Sequence, residues 1–593
     1  MLRRNLLKLL GATAVSLPLD WRLARAAPGP VTSRVRPGEP SWPSEAAWKR
    51  LRQSVGGSLI KVEQLFASCA QQAESADCAD LRKNLRNPFF LGDQPGGTQV
   101  SGWYRAWTPA PSAYAVKART TADVAAAVNF ARIHNLRLAV KGTGHSYQGT
   151  SSAPDSLLIW TRAMNSIELH DRFVPHGCDV APVSAVSAGA GCMWIDLYHA
   201  VTTQAGRYVQ GGGCTDVGVA GLVQSGGFGS FSKGFGTAAS SLLEAEIVTA
   251  DGVARICNAR INPDLFWAIR GGGGGSWGVV TRITLRTHDL PENFGGAWGV
   301  IQARSDDAFK ALIAHFLGFY RDHLLNPHWG EQFHLSPDNQ LEISMVCQGL
   351  TGDEAQAVWK PFFDWVRQNP DLKAEGGLHA KVVPARGWWN VKDNPLFVPD
   401  DRPGAPPYHG WWTGDQGQVG AYLNGFDSLW LPAALLSPPD GLATALFEAS
   451  RFKAVELHCN KGLAGAPEAA RRSALDTATN PAVVNAFALA LIADLQASAY
   501  PGERAPDLAA AEKDADAIAK ASAKLRACAP DAGSYVSESN YFNPDWQNAY
   551  WGPNHARLAA IKAKYDPDGL FFVHNGVGSE GWSRDGFRRV PRR

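Results

Sequence analysis

The chain has 593 residues, more than one hydrophobic core usually organises, so two or more domains are expected. Hydrophobic residues make up 45%, charged residues 19% and aromatics 10%, which excludes disorder as the main state, and a net charge of +2 excludes bulk attraction to nucleic acid. Sixty Gly and 21 Trp point to close backbone approaches and large apolar surfaces, and the odd count of 9 Cys leaves at least one without an intramolecular disulfide partner.

In chain order, Arg3 and Arg4 precede an apolar stretch from Leu6 to Leu19, and Ala24 and Ala26 give a small-x-small cleavage pattern. This resembles a secretion signal of the twin-arginine type and predicts an exported protein, periplasmic or extracellular. No later run reaches the ~18 apolar residues of a membrane span; Asp494 interrupts the run at Leu489 to Ile492. Residues 28–43 read as a linker. Trp48 to Ala73 carries helical periodicity, and Cys69 with Cys78 is the expected disulfide of an exported protein. Ala115–Ala118 and Leu136–Val140 read as strands flanking a helix, Thr121–His134. The α/β pattern runs to about Thr287, and a break follows at Asp289 to Gly296. Long helices are predicted at Asp306–Tyr320 and Gly352–Val366, and a helix at Asn554–Tyr565 precedes a short strand, Leu570–Val573.

Three segments carry the chemistry. Val140 to Ser151, VKGTGHSYQGTS, runs a strand into a small-residue loop whose exposed backbone N–H groups suit a diphosphate. His145 in its middle can act as nucleophile, base or ligand. Gly211 to Gly236 sets Cys214 among glycines, and its Val217, Leu222, Phe228 and Phe231 are too apolar for a solvated linker. Asn262 to His288 places five glycines after DLFWAIR and before a strand. A dinucleotide fingerprint would put such glycines before a helix. Neither His-x-x-x-His nor Cys-x-x-Cys spacing occurs, so no metal site is predicted.

Together with the tail YWGPNHARLAAIKAKYDPDGLFFVHNGVGSE, these segments resemble, in order and spacing, the berberine-bridge-enzyme-like group of the vanillyl-alcohol-oxidase/p-cresol-methylhydroxylase flavoproteins. The resemblance covers about Asn87 to Arg286 and resumes near Ser534. It implies an α+β protein: a two-part FAD-binding domain of the p-cresol-methylhydroxylase type, and an α+β substrate domain with an antiparallel sheet. The implied division is a signal at 1–27, a linker and helical segment at 28–84, the FAD domain at 85–290, the substrate domain at 291–533, and a segment at 534–593 returning to the FAD domain. The resemblance also implies bicovalent FAD, bonded through His145 and Cys214. The backbone from Lys141 to Ser146, with Gly142, Thr143 and Gly144, would hold the diphosphate, with Lys141 where the group has Arg and Thr143 where it has Gly. Val217, Gly218 and Gly221 belong to the cofactor-lining loop. Asn575, like His574, is placed either near the ring or in plain carboxy-terminal packing.

For alcohol oxidation a base must take the hydroxyl proton while a hydride goes to the flavin. Many relatives use a tyrosine where this chain has Glu538, and no acid occurs at Asn485 to Ala488, where other members place a glutamate. Glu538 is therefore the expected base or substrate hydrogen-bonding group, with Tyr147 as second participant; the alternative for Glu538 is an exposed or salt-bridged carboxylate. Valine at position 217 is associated in the group with oxidases, so O2 is the expected acceptor, with a quinone- or cytochrome-linked dehydrogenase as the alternative. A flavin-tethered binding protein without turnover is the rival of another class. The substrate class is a small alcohol, sugar or aromatic molecule. Trp388, Trp389, Tyr408, Trp411, Trp412, Tyr422 and Trp430 supply either core or substrate-facing surface, one of each adjacent pair facing the site because neighbours on a strand alternate.

Overall fold

The computed structural model describes residues 33–590 apart from 70 and 71, and the predicted secretion signal lies outside the described residues. Three large sheets organise the chain, beside a two-stranded one of Phe397–Pro399 and Gly410–Trp412. The first has the spatial order Leu59–Lys61, Tyr114–Lys117, Ser156–Trp160, Arg137–Lys141. Its last three strands are parallel, and the 59–61 edge is antiparallel. The crossover helix Thr121–Ile133 starts at a capping box between Thr120 and Asp123 and buries Val124, Ala127, Val128 and Ala131. Ser156–Trp160 lies between the two strands that this helix joins, and all of its residues are buried, as a central parallel strand requires.

The second sheet is antiparallel, in the order Ile167–Phe173, Val183–Gly189, Val279–Asp289, Leu242–Val248, Ala254–Asn258. The third begins immediately after it, at Asn293–Ala303, and has seven antiparallel strands. On one face of the third sheet lie Asp306–Phe319, Gly352–Gln368, Asp440–Ser450 and Leu508–Cys528. Strands Tyr422–Pro432 and Ala486–Gln496 bury apolar residues on both of their faces. Leu429, Leu431, Ala488, Ala490 and Ile492 face these helices. The alternate residues Phe426, Trp430, Leu489 and Leu491 pack on the opposite side, against Trp103, Phe228, Tyr535 and Tyr541. After Cys528 the chain returns to the first two sheets. Trp551 Nε1 donates to the carbonyl of Gly271, and the Lys562 ammonium donates to Ser276 and Phe571 carbonyls and to Asp566 at 2.6–2.8 Å.

Two local expectations fail. The helix predicted from Trp48 to Ala73 is Glu45–Ser54 alone, because Gly56 and Gly57 adopt positive φ and turn the chain into strand Leu59–Lys61. Leu570 to Val573 is not a strand. The N–H groups of Leu570 and Phe571 donate to the Asp566 carboxylate, at 2.7 and 2.9 Å, and so are unavailable to a ladder. Cys69 and Cys78 form the expected disulfide, and the other seven cysteines are free.

Candidate functional site

A cavity of about 310 Å³ lies where the three glycine-rich segments, the third sheet and the returning tail meet. Its walls are of two kinds. One is mostly backbone: Gly142 to Ser146 after strand Arg137–Lys141, Val217 to Gly221 at the start of helix Val219–Gln224, and Gly273 to Ser276. The first two loops touch, since a Cβ on Gly218 would stand 3.4 Å from Thr143 Oγ1. At Gly275, φ is +76° and a Cβ would come within 2.7 Å of Val573, so only glycine fits without strain. A Cβ at Gly221 would meet nothing within 4 Å and would stand in open cavity space. A large, flat, phosphate-bearing cofactor needs such a wall, and Gly142, Thr143, Gly144, Ser146, Val217, Gly218 and Gly221 all line it.

Lys141 behaves differently from the expectation. It does not line the cavity. Its buried ammonium turns away to donate to the carbonyls of Gln94, Pro95 and Gly97, at 2.5, 2.9 and 3.1 Å. Burial pushes it down to about 7. Its role is to pin segment 94–97 against the loop.

The second wall is made of side chains. His145 Nε2 is hydrogen-bonded to Oδ2 of Asp216, which is 3% exposed. Cys214 lines the same cavity, and burial, then Asp415 and Asp216, push its thiol well above its ordinary value. Asp415 sits on the short helix Thr413–Gly417 that precedes strand Tyr422–Pro432. Burial and then the Asp216 charge push its carboxyl up to about 7. Tyr147 lines the cavity with its hydroxyl donating to Gln418 Oε1 at 3.2 Å, and burial followed by the Glu538 charge pushes its phenol well up, so it stays protonated. Glu538 reaches the cavity and pairs with Lys461 Nζ at 2.5 Å, which is the salt-bridged alternative raised by the sequence. The Glu538 main chain is fixed by Ser428 Oγ, which donates to its carbonyl, and by a 2.9 Å bond from its own N–H to Tyr535.

His574 and Asn575 also line the cavity. His574 stacks on Tyr541 at 3.7 Å and is hydrogen-bonded through Nε2 to the Tyr541 carbonyl. Burial lowers it to about 4, so it is neutral at pH 7. Asn575 adopts φ +52° and donates to the same carbonyl at 3.1 Å.

The aromatic pairs of the middle segment do not line this cavity. Trp389, Trp411, Tyr422 and Trp430 are buried core. Trp389 stacks on Tyr198 at 4.0 Å, and Trp412 donates to the Gly213 carbonyl. Ala385, Trp389, Phe397 and Trp411 thus join the core of the second sheet. The sequence reading missed Asp216, Asp415, Gln418 and Lys461. Asp216 had a local signal, two residues after Cys214; the others reach the cavity only through the third sheet.

An FAD-binding-domain family matches residues 111–258, and a "berberine and berberine like" family matches residues 505–578. The FAD-linked oxidoreductase asqF of Emericella nidulans is 31% identical over 601 residues, covering 94% of this chain and 96% of that protein. A VAO-type flavoprotein oxidase of Thermothelomyces thermophilus is 28% identical, covering 94% and 95%. Among solved structures, a VAO-type flavoprotein from Myceliophthora thermophila superposes with a TM-score of 0.77 at 25% identity, over 94% of this chain and all of that one. Glucooligosaccharide oxidase from Acremonium strictum shares the fold, with a TM-score of 0.62 at 19% identity over 87% and 99% of the two chains. The glycine-built cavity and these full-length likenesses together establish that the chain belongs to the berberine-bridge-enzyme-like FAD-linked oxidoreductases of the vanillyl-alcohol-oxidase type.

Proposed function

We propose that this chain oxidises a hydroxyl group of a small alcohol or sugar, with FAD held covalently through His145 and Cys214 and dioxygen as the acceptor. The observation that carries the reading is the convergence of His145, Cys214, Tyr147 and Glu538 on one cavity, from segments up to 393 residues apart in sequence. When bound, FAD supplies the hydride acceptor. The chain supplies position and proton transfer. The protonated Tyr147 phenol exchanges its Gln418 acceptor for the substrate oxygen, and Glu538, held in place by Lys461 and Ser428, accepts the hydroxyl proton. The backbone wall holds the diphosphate of the cofactor, and the side-chain wall leaves room for substrate.

Three observations support the finer points. Both proposed tethers line the cavity, and a protein of the same fold is described with a 6-S-cysteinyl, 8α-N1-histidyl FAD. Val217 lines the cavity, and the 28%-identical relative is named an oxidase. Two proteins of this fold are named oligosaccharide oxidases, which favours sugar hydroxyls within the substrate class. Acid precipitation of the purified protein tests the tethers: the pellet is expected to stay yellow in the wild type and to be colourless in the His145→Ala, Cys214→Ala double variant. A colourless wild-type pellet overturns bicovalent attachment. A panel of sugars and alcohols coupled to peroxide detection tests the reaction, and stopped-flow mixing of reduced enzyme with air-saturated buffer tests the acceptor. Absence of flavin reduction by every hydroxyl compound would favour a binding protein instead.

A second acid, Asp415, shares the cavity, and an acid group near 7 suits proton transfer at neutral pH. It becomes the preferred base if turnover survives in Glu538→Gln and is lost in Asp415→Asn.

A further inference from the structure

The reading of His145 and Cys214 as tethers, on which this inference rests, leaves two proton transfers unassigned. Joining either side chain to a flavin carbon is an oxidation. A C–N or C–S bond forms, and a flavin C–H bond and the N–H or S–H bond of the side chain break. Two electrons and both protons pass to dioxygen, which leaves as hydrogen peroxide. Each attachment therefore needs a group that takes the proton of the side chain as the new bond forms.

Two carboxylates stand at these two places. Asp216 is bonded through Oδ2 to Nε2 of His145 and is almost wholly buried. Asp415 lines the same cavity as Cys214, its charge helps to raise the thiol, and its Oδ2 is buried without a hydrogen-bond partner. Neither forms an ion pair with a lysine or arginine among the described residues. We propose that Asp216 and Asp415 are the proton acceptors of flavin attachment, Asp216 for His145 and Asp415 for Cys214.

The geometry divides the work. A carboxylate on Nε2 fixes the proton there and leaves the Nδ1 lone pair free to form the C–N bond. The positive charge that develops on the imidazole is met at once by Asp216, which then takes the Nε2 proton. The thiol has the opposite difficulty: burial holds it protonated, and the thiolate is the nucleophile. Asp415, pushed up to about 7 by burial and then the Asp216 charge, shares the cavity with it. The two acceptors come from different parts of the chain, Asp216 from the loop of Cys214 itself and Asp415 from the segment entering the third sheet. The two links are accordingly separable by substitution.

The test reads the links directly, apart from turnover. Wild type, Asp216→Asn and Asp415→Asn are purified, acid-precipitated and digested, and flavin on the His145 and Cys214 peptides is quantified by mass spectrometry. Asp216→Asn is expected to lose the histidyl link at least ~10-fold and to keep the cysteinyl link, and Asp415→Asn the reverse, as removal of a general base implies. Asp216→Glu and Asp415→Glu are expected to restore the lost link. Circular dichroism and total bound flavin establish folding. If an Asn variant fails to fold, the Asp→Ser variant at the same position is read in the same way. Both links at wild-type level in folded Asn variants overturn the proposal, and so does loss of both links from either one. Flavin that washes out of the wild type overturns the tether reading itself, and this assignment with it.

Discussion

The two walls of the cavity are built by opposite means. The backbone wall comes from three short stretches, and each is specified locally: a strand or helix ends, small residues follow, and a helix or strand begins. The side-chain wall has no local specification. Glu538 owes its position to Ser428 and Lys461, on different strands and turns of the third sheet, and Tyr147 meets Gln418 across 271 residues of sequence. The first wall binds by being empty of side chains; the second works by being crowded with them.

Gly275→Val attacks the first wall. Its Cβ would press on Val573 at positive φ, which costs about 2–5 kcal/mol; the expected result is flavin-poor protein of lower Tm with no measurable turnover. Glu538→Gln attacks the second wall and is expected to keep its flavin while turnover falls about 100-fold or more; a wild-type rate removes Glu538 from the chemistry. Lys141→Met separates a residue beside the first wall from the wall itself. Three carbonyls lose their donor, so stability should drop by about 1–3 kcal/mol with little change in flavin content; a flavin-free but stable variant would put Lys141 back in the cofactor site. The smallest effect is a pH slope. The folded-state value of His574 is lowered to about 4, so between its ordinary value of about 6.5 and about 4 the unfolded chain binds a proton that the folded chain does not. Stability contributed by His574 is therefore complete above this window and is lost as pH falls through it. Thermal melts of His574→Asn should show a shallower decline than wild type from pH 6.5 to 4, by a few degrees in Tm.

The sequence was informative where structure is short-range. The glycine loops, the helix at Thr121, the disulfide between Cys69 and Cys78 and the reappearance of the chain near Ser534 all follow from neighbouring residues or from a motif that spans them. Asp415 and Lys461 were invisible because a single acid or lysine in a surface-like stretch carries no signal until a sheet brings it inward. The tryptophan pairs misled as well. Trp388 and Trp389 lie in a turn after the short helix Ala385–Gly387, where strand alternation does not apply, and Trp389 stacks on Tyr198 in the core of the second sheet. The strand expected at Leu570–Val573 failed because Asp566 competes for its N–H groups, a side-chain effect that apolar patterning does not register.

The returning tail also sets an order of events. The cavity needs Glu538 and the stretch from Val573 to Gly576, which packs against Gly275. A nascent chain that has emerged only through the three glycine segments has one wall and an open side. Cofactor capture is therefore a late event of synthesis, waiting until residue 576 has left the ribosome, and chains terminated before it are expected to be colourless however well their first two sheets fold.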